Sequence, residues 1–104
     1  MTKRHLIFVP KNEEGIREYE TGSEDSENFE VFDIPEEEFE KLWKHRVFDI
    51  LNDRFDLLID ECEEETVTAD QLKEAYDAIS LIDGEWMKAV NRTIETGLCA
   101  YLHF

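Results

Sequence analysis

The chain contains few of the residues that build common catalytic and cofactor sites. Its 104 residues include two cysteines and four glycines. Cys62 and Cys99 are too few for a disulfide scaffold, and they lack the C-x-x-C spacing of zinc and redox sites. No G-x-S-x-G, P-loop or G-x-G-x-x-G motif is present. We therefore predict no cofactor and no enzyme of these classes.

Long apolar runs are also missing. The apolar run from Leu6 to Val9 is too short for the core of a signal peptide. No stretch approaches the roughly 20 apolar residues that a membrane helix requires. The expectation is a cytoplasmic protein without a membrane partner.

Basic residues are scarce relative to acidic ones. The chain has 11 lysines and arginines against 27 aspartates and glutamates, which gives a formal net charge of −16. Such a field repels nucleic acid backbones and anionic membranes and speeds encounter with cationic partners. We therefore expect no direct nucleic-acid binding. The charge is explained equally well by solubility alone or by a functional acidic surface.

The composition nevertheless predicts one folded domain over residues 1–104. A chain of this length buries roughly two-thirds of its unfolded surface, which is enough for independent stability. The hydrophobic fraction of 41%, with 12% aromatic residues, is too high for a disordered chain. A second domain would have no room for a core of its own.

Three segments have the composition or the alternation of β-strands. Residues 5–9 are β-branched and aromatic, whereas residues 29–34 and 98–104 alternate between two faces. Residues 11–28 are polar and acidic and contain two glycines. This composition predicts a flexible acidic loop, with a short strand over residues 16–20 as the alternative.

A long helix is predicted after the second strand. Pro35 is followed by three glutamates, which marks a helix start because negative charge is favoured at the first turn. Apolar residues then recur at helical spacing from Phe39 to Leu58, which predicts a helix over residues 36–62 with this stripe in the core. A break near His45–Arg46 or near Asn52 stays an alternative, because Phe48 falls off the apolar stripe and Asn52-Asp53 are weak helix formers.

Two further helices are predicted before the last strand. Thr68 and Gln71 have the spacing of a capping box, which indicates a helix over residues 69–81. Asp83 is placed to cap a third helix over residues 85–96. The predicted fold class is therefore α+β, with a small, mainly antiparallel sheet covered by about three helices.

The most distinctive pattern is a cluster of acids at the end of the long helical stripe. On a continued helix four of them would share one side, namely Asp56, Asp60, Glu63 and Glu64. Like charges at these spacings destabilise a helix unless a cation neutralises them. No lysine or arginine lies between Asp56 and Glu65. The pattern therefore indicates a cationic partner.

Three uses of this cluster stay open: a solvated surface, a docking face for a basic protein, and a divalent cation site. Calcium fits poorly, because the run contains no EF-hand loop and no glycine for its turn. We predict a partner-binding site without a metal, formed by Asp56, Asp60, Glu61, Glu63, Glu64 and Glu65.

No catalytic residue is predicted. Cys62 is surrounded by glutamates, and negative charge opposes formation of the thiolate that a catalytic cysteine needs. With so many acids, close carboxylate pairs are inevitable and do not indicate acid–base chemistry. His5 and His103 would approach if the terminal strands paired, but two unrelated imidazoles are favoured over a transition-metal half-site.

Two stretches resemble the small acidic immunity proteins of bacterial polymorphic-toxin and contact-inhibition systems. They are residues 57–65 with the following Gln71-Leu72, and the helix–glycine–strand of residues 94–104, so the resemblance extends over about half of the chain, from residue 57 to residue 104. The resemblance implies a cytoplasmic protein whose carboxylates occlude the basic site of a toxin, commonly a nuclease.

The leading hypothesis is a non-enzymatic, acidic inhibitor of a basic protein partner. An acidic adaptor or a phage-type nucleic-acid mimic is the alternative, and a metal-dependent enzyme comes third. The sequence leaves the partner and the oligomeric state open.

Overall fold

A computed structural model describes residues 4–22, 27–60 and 63–104. The described residues form four strands and six helices. The strands are β1 (His5–Pro10), β2 (Phe29–Ile34), β3 (Glu64–Thr68) and β4 (Cys99–His103). The helices are α1 (Glu13–Glu20), α2 (Glu36–Lys44), α3 (Val47–Phe55), α4 (Ala69–Glu74), α5 (Tyr76–Ile79) and α6 (Glu85–Thr96). The predicted α+β class is confirmed.

The four strands form one antiparallel sheet in the order β2-β1-β4-β3. The first and last strands are neighbours at its centre, with Leu6 opposite His103. The two edges are therefore β2 and β3. None of the helices in the described ranges is long and apolar enough to cross a bilayer.

The main core lies between one face of the sheet, here called the helix face, and helices α2 to α6. Burial of each large apolar side chain contributes about 1.5–3 kcal/mol to stability. Phe48, which does not fit the single apolar stripe, is fully buried. The largest fully buried side chains of this core are Trp86, Phe39, Phe48, Ile7, Ile34, Leu42, Leu51, Leu72, Ile79 and Leu102.

The predicted continuous helix over residues 36–62 is wrong. It divides into α2 and α3 at His45–Arg46, where Arg46 has a left-handed φ of 62°. This is one of the two breaks that the sequence left open. The turn gives α3 its own buried face and brings Phe48 into the core. A second left-handed residue, Asp56, ends α3. The acidic segment, residues 56–65, is therefore not helical over its described residues 57–60 and 63–65.

Helix α1 replaces part of the predicted loop and the alternative strand. Asn12 Oδ1 accepts the Gly15 N–H at 3.0 Å and so caps the helix. Ile16 and Tyr19 then pack on the sheet face opposite the main core, here called the outer face. Gly15 allows this close approach, because a Cβ there would lie 2.6 Å from the Asn28 carbonyl oxygen. Residues 23–26 of the predicted loop lie outside the described residues.

Strand β3 was not predicted, but the capping box that follows it is confirmed. Thr68 Oγ1 accepts the Gln71 N–H at 3.1 Å, and Gln71 Oε1 accepts the Thr68 N–H at 2.9 Å. The helix predicted over residues 69–81 divides at Ala75 into α4 and α5. The chain therefore passes directly from an edge strand into a helix.

Helix α6 occupies the predicted range 85–96, but Asp83 does not cap it. The cap comes from α2: Glu38 accepts the N–H groups of Glu85 at 3.1 Å and of Trp86 at 2.8 Å. Gly84, with φ of 146°, leaves room for this carboxylate, because a Cβ would collide with it. A carboxylate from another helix thus neutralises the positive end of the α6 dipole.

Candidate functional site

The acidic segment runs through three kinds of structure rather than along one helix face. Asp56 ends α3, Asp60 lies in the loop that follows, and Glu64 and Glu65 belong to β3. The prediction that four of these acids share one side of a continued helix is therefore wrong. Glu61 lies outside the described residues.

The segment of residues 57–60, here called the tied loop, is held by side chains. Asn52 Nδ2 donates to the Ile59 carbonyl at 3.0 Å, and the Ile59 N–H donates to Asn52 Oδ1 at 2.8 Å. The Leu58 N–H donates to Glu65 Oε2 at 2.9 Å. These bonds satisfy backbone groups that no regular element pairs, so they fix the course of the loop.

Glu65 has a positioning role in this arrangement. Its second oxygen, Oε1, accepts the Thr66 N–H at 2.8 Å, so the carboxylate joins the tied loop to β3. Hydrogen bonds from N–H groups to a carboxylate are stronger than those between neutral groups. Among the predicted site residues, Glu65 therefore contributes to loop geometry.

Glu64 points to the outer face of the sheet, because neighbouring side chains on a strand alternate. Its Oε1 lies 3.5 Å from His103 Nδ1, and His103 Nε2 lies 2.6 Å from the Tyr19 hydroxyl. The Tyr19 ring in turn stacks on Tyr101 with centroids 3.6 Å apart. Glu64 thus belongs to the contacts that seat α1 on the sheet.

Asp60 and Glu63 come together at an open pocket of about 350 Å³. Its apolar wall is formed by the tied loop, and Leu58 there is 76% exposed. The pocket is lined by Asn52, Leu57, Leu58, Ile59, Asp60 and Glu63. Two predicted acids therefore border an apolar surface.

Several cationic side chains form ion pairs with acids that do not line this pocket. Arg4 pairs with Asp33, Arg46 with Asp49, and Arg92 with Glu30 and Glu95. None of the ion pairs between described residues involves Asp56, Glu63 or Glu65. The Glu63 carboxylate at this pocket is therefore not neutralised by an ion pair with any described residue.

The two terminal histidines do not form a joint site. His5 lies on the helix face, where its 2% exposed ring stacks on Phe39 at 3.6 Å and its Nε2 lies 2.6 Å from Glu36 Oε2. His103 lies on the outer face, beside Tyr19. The part of the chain that the structure describes contains no group of three or more metal-ligating side chains.

Cys99 lies under α1 and is buried. Burial raises the pKa of its thiol, and burial together with a hydrogen bond to Cys99 raises the pKa of the Tyr101 hydroxyl. A thiol that resists ionisation is a poor nucleophile. This pair is therefore better suited to packing than to covalent chemistry.

Sequence reasoning missed two residues of the site, Asn52 and Leu58. The sequence treated Asn52 as a weak helix former, which was a usable signal: an asparagine near a helix end also holds backbone groups of a following loop. Leu58 fitted the apolar stripe and was assigned to the core. No local signal indicated its exposure, because that depends on where α3 ends.

Comparison with known proteins leaves the site to be interpreted from its own geometry. No protein-family model matches the chain, and the searches of curated proteins and of solved structures returned no match.

Proposed function

We propose that this chain is a non-enzymatic binding protein that captures a basic protein, as a cytoplasmic inhibitor of the immunity or antitoxin type. The observation that supports this proposal is the tied loop, which presents the 76% exposed Leu58 beside Asp60 and Glu63. An apolar surface with an acidic border suits a lysine or arginine, whose stem is apolar and whose head is charged.

The apolar and acidic parts of this site have different roles. An ion pair at an exposed surface contributes about 0–1 kcal/mol, so the carboxylates alone would not hold a partner. Full burial of a leucine contributes about 1.5–3 kcal/mol. We therefore assign affinity mainly to Leu58 and rapid, salt-dependent association mainly to Asp60 and Glu63.

The tied loop also lowers the entropic cost of binding. Its backbone is held before a partner arrives by Asn52 on one side and Glu65 on the other. A surface that is already ordered loses less conformational freedom on association. This favours a docking function over an exposed leucine without a role.

The partner inferred from charge is a strongly basic protein. A net charge of −16 attracts such a protein over about a Debye length, roughly 8 Å at physiological salt. A nuclease is the kind of toxin that fits, because its phosphate-binding surface is cationic. Occupation of that surface by this chain would exclude its substrate.

The test compares two exposed leucines. The tagged chain is purified from its host at low salt, basic proteins that co-purify are identified by mass spectrometry, and their affinities are measured with purified components. We expect Leu58→Asp to weaken binding by about tenfold or more. Leu81→Asp is the matched control, since Leu81 is 62% exposed and lies outside the tied loop.

A second variant tests the acids. Reversing Asp60 and Glu63 to lysine should slow association and flatten its salt dependence. Unchanged binding in Leu58→Asp, or the recovery of no basic protein at low salt, would contradict the proposal.

A further inference from the structure

The hydrogen-bond alternation of β2 leaves one set of backbone groups pointing away from the sheet. Lys11 N–H donates to the Asn28 carbonyl at 2.7 Å, directly beyond the Pro10–Phe29 pair of the β1–β2 register. In two antiparallel strands, the residues that lie opposite each other alternate between pairs that are hydrogen-bonded to each other and pairs that are not. Phe29, Val31 and Asp33 therefore direct their N–H and C=O groups away from β1.

The same argument identifies the outward groups of β3. Phe104 N–H donates to the Glu63 carbonyl at 3.4 Å, so Glu64, Thr66 and Thr68 point away from β4. The Thr66 N–H is bound by Glu65 at 2.8 Å, and the Thr68 N–H by Gln71 at 2.9 Å. The protein thus occupies two donors of this edge with its own side chains.

The β2 edge has no such protection among residues 4–22, 27–60 and 63–104. β2 pairs with β1 alone, and no described residue hydrogen-bonds the outward N–H of Phe29, Val31 or Asp33. The Val31 side chain is also 51% exposed. A row of unpaired donors and acceptors is a template for another strand.

We propose that the β2 edge binds an extended, lysine- or arginine-bearing segment of a partner protein by strand addition. Main-chain hydrogen bonds would supply affinity, and alternate side chains would supply specificity. The cationic character of this segment rests on the proposed function. The strand addition itself rests on the β2 geometry.

Charge favours this occupant over a second copy of the chain. A second copy would bring another −16 charge to the interface. Antiparallel pairing of two β2 strands centred on Val31 would also place Asp33 opposite Phe29, so the second copy would bring no cation to neutralise this acid. A basic segment instead meets Glu30 and Asp33, one on each face of β2. The present pair of Asp33 with Arg4 is a surface ion pair of low strength, whereas the pair of Glu30 with Arg92 is half-buried, so Asp33 is the acid that the segment engages more readily.

The test uses a capped peptide of alternating lysine and valine, about eight residues long, which matches the length of an ordinary strand. Binding is followed by the amide signals of the full-length protein in NMR. We expect the largest shifts at Phe29, Val31 and Asp33, with slowed hydrogen exchange at Val31. A peptide of the same charge that is N-methylated at alternate residues should lose about tenfold or more in affinity.

A variant of the protein provides the complementary test. Val31→Pro removes an outward donor without touching the β1 bonds, and edge strands tolerate proline. It should lose the peptide, whereas Val31→Thr should keep it. If Val31→Pro fails to fold, the two peptides measured on the unaltered chain still decide the question.

Three outcomes would overturn the proposal. Equal binding of the methylated peptide would mean adsorption by charge alone, and shifts confined to the tied loop would place the peptide elsewhere. Sedimentation that shows a dimer with a protected Val31 amide would assign the edge to a second copy. Leu58→Asp should keep peptide binding at β2, so this test and the test of the tied loop can fail separately.

Discussion

β2 and β3 lie at opposite edges of the same sheet, and they differ in how their outward backbone groups are treated. At β3, Glu65 and Gln71 bind the N–H groups of Thr66 and Thr68. At β2, the groups of Val31 face outward without a described partner. Exposed edges invite unwanted pairing, and natural proteins block them with side chains. The difference is that side chains block two outward donors of β3, whereas the described residues block none of those of β2.

The comparison also separates the carboxylates of the acidic segment by role. Glu65 is engaged twice by backbone N–H groups, whereas Glu63 borders the open pocket. Two acids that look equivalent in sequence thus differ because one bends back onto the chain. The number of acids in a segment therefore overstates the number available to a partner.

The largest expected effect is on the tied loop beside β3. Asn52→Ala removes two hydrogen bonds to Ile59 and leaves both backbone groups without their partners, which should cost about 2–4 kcal/mol of unfolding free energy. Urea denaturation measures the loss. Asn52→Asp is the matched variant: it keeps the acceptor for the Ile59 N–H and should lose less. Equal stability of Asn52→Ala and the unaltered chain would show that the loop is not held in this way.

The next largest effect concerns the closure of the β3 edge. Glu65→Ala releases the N–H groups of Leu58 and Thr66 and should cost about 1–3 kcal/mol. It should also open β3 to strand addition, which the lysine–valine peptide would report as new shifts at Thr66. Glu65→Gln keeps one acceptor oxygen and should open the edge less. Shifts that stay confined to β2 in Glu65→Ala would mean that another feature closes β3.

Local signals predicted the parts of this fold that local bonds stabilise. The capping box of Thr68 and Gln71 is one example, because its two hydrogen bonds join residues three apart. Strand β3 was missed, since Val67 is the one fully buried side chain in Glu64–Thr68 and pairing with the distant β4 stabilises the strand. Tertiary pairing here overrides local propensity.

Distance along the chain also explains the other differences. Gly15 reads as a helix breaker, yet it is the residue that lets α1 approach the Asn28 carbonyl. Glu38 caps a helix 47 residues further along the chain at Glu85. In the candidate site, Asp60 and Glu63 were predicted together, but their place in a pocket follows from where α3 ends.

A smaller effect is expected when one proline is placed in each edge strand, which compares the two edges directly. Val31→Pro and Thr66→Pro each remove one outward N–H group from an edge strand. Val31→Pro should change stability by less than about 1 kcal/mol, whereas Thr66→Pro loses the bond to Glu65 and should cost about 1 kcal/mol more. Paired denaturation curves measure the difference. Equal costs would mean that the Glu65 bond does not distinguish β3 from β2.

The smallest effect concerns the centre of the sheet, between the two edges. Burial raises the pKa of the Cys99 thiol in the folded protein, so as pH rises the unfolded chain loses this proton first. The unfolded state then binds fewer protons, and stability contributed by the buried thiol is present below about pH 8.5 and is lost above it. Cys99→Ala should therefore show a shallower decline of unfolding free energy between about pH 8.5 and 10 than the unaltered chain. The edge variants Val31→Pro and Glu65→Ala leave Cys99 in place, so they should keep the full alkaline decline of unfolding free energy. If the edge variants reduced this decline and Cys99→Ala did not, the alkaline sensitivity would arise outside the packed contact of α1 with β4.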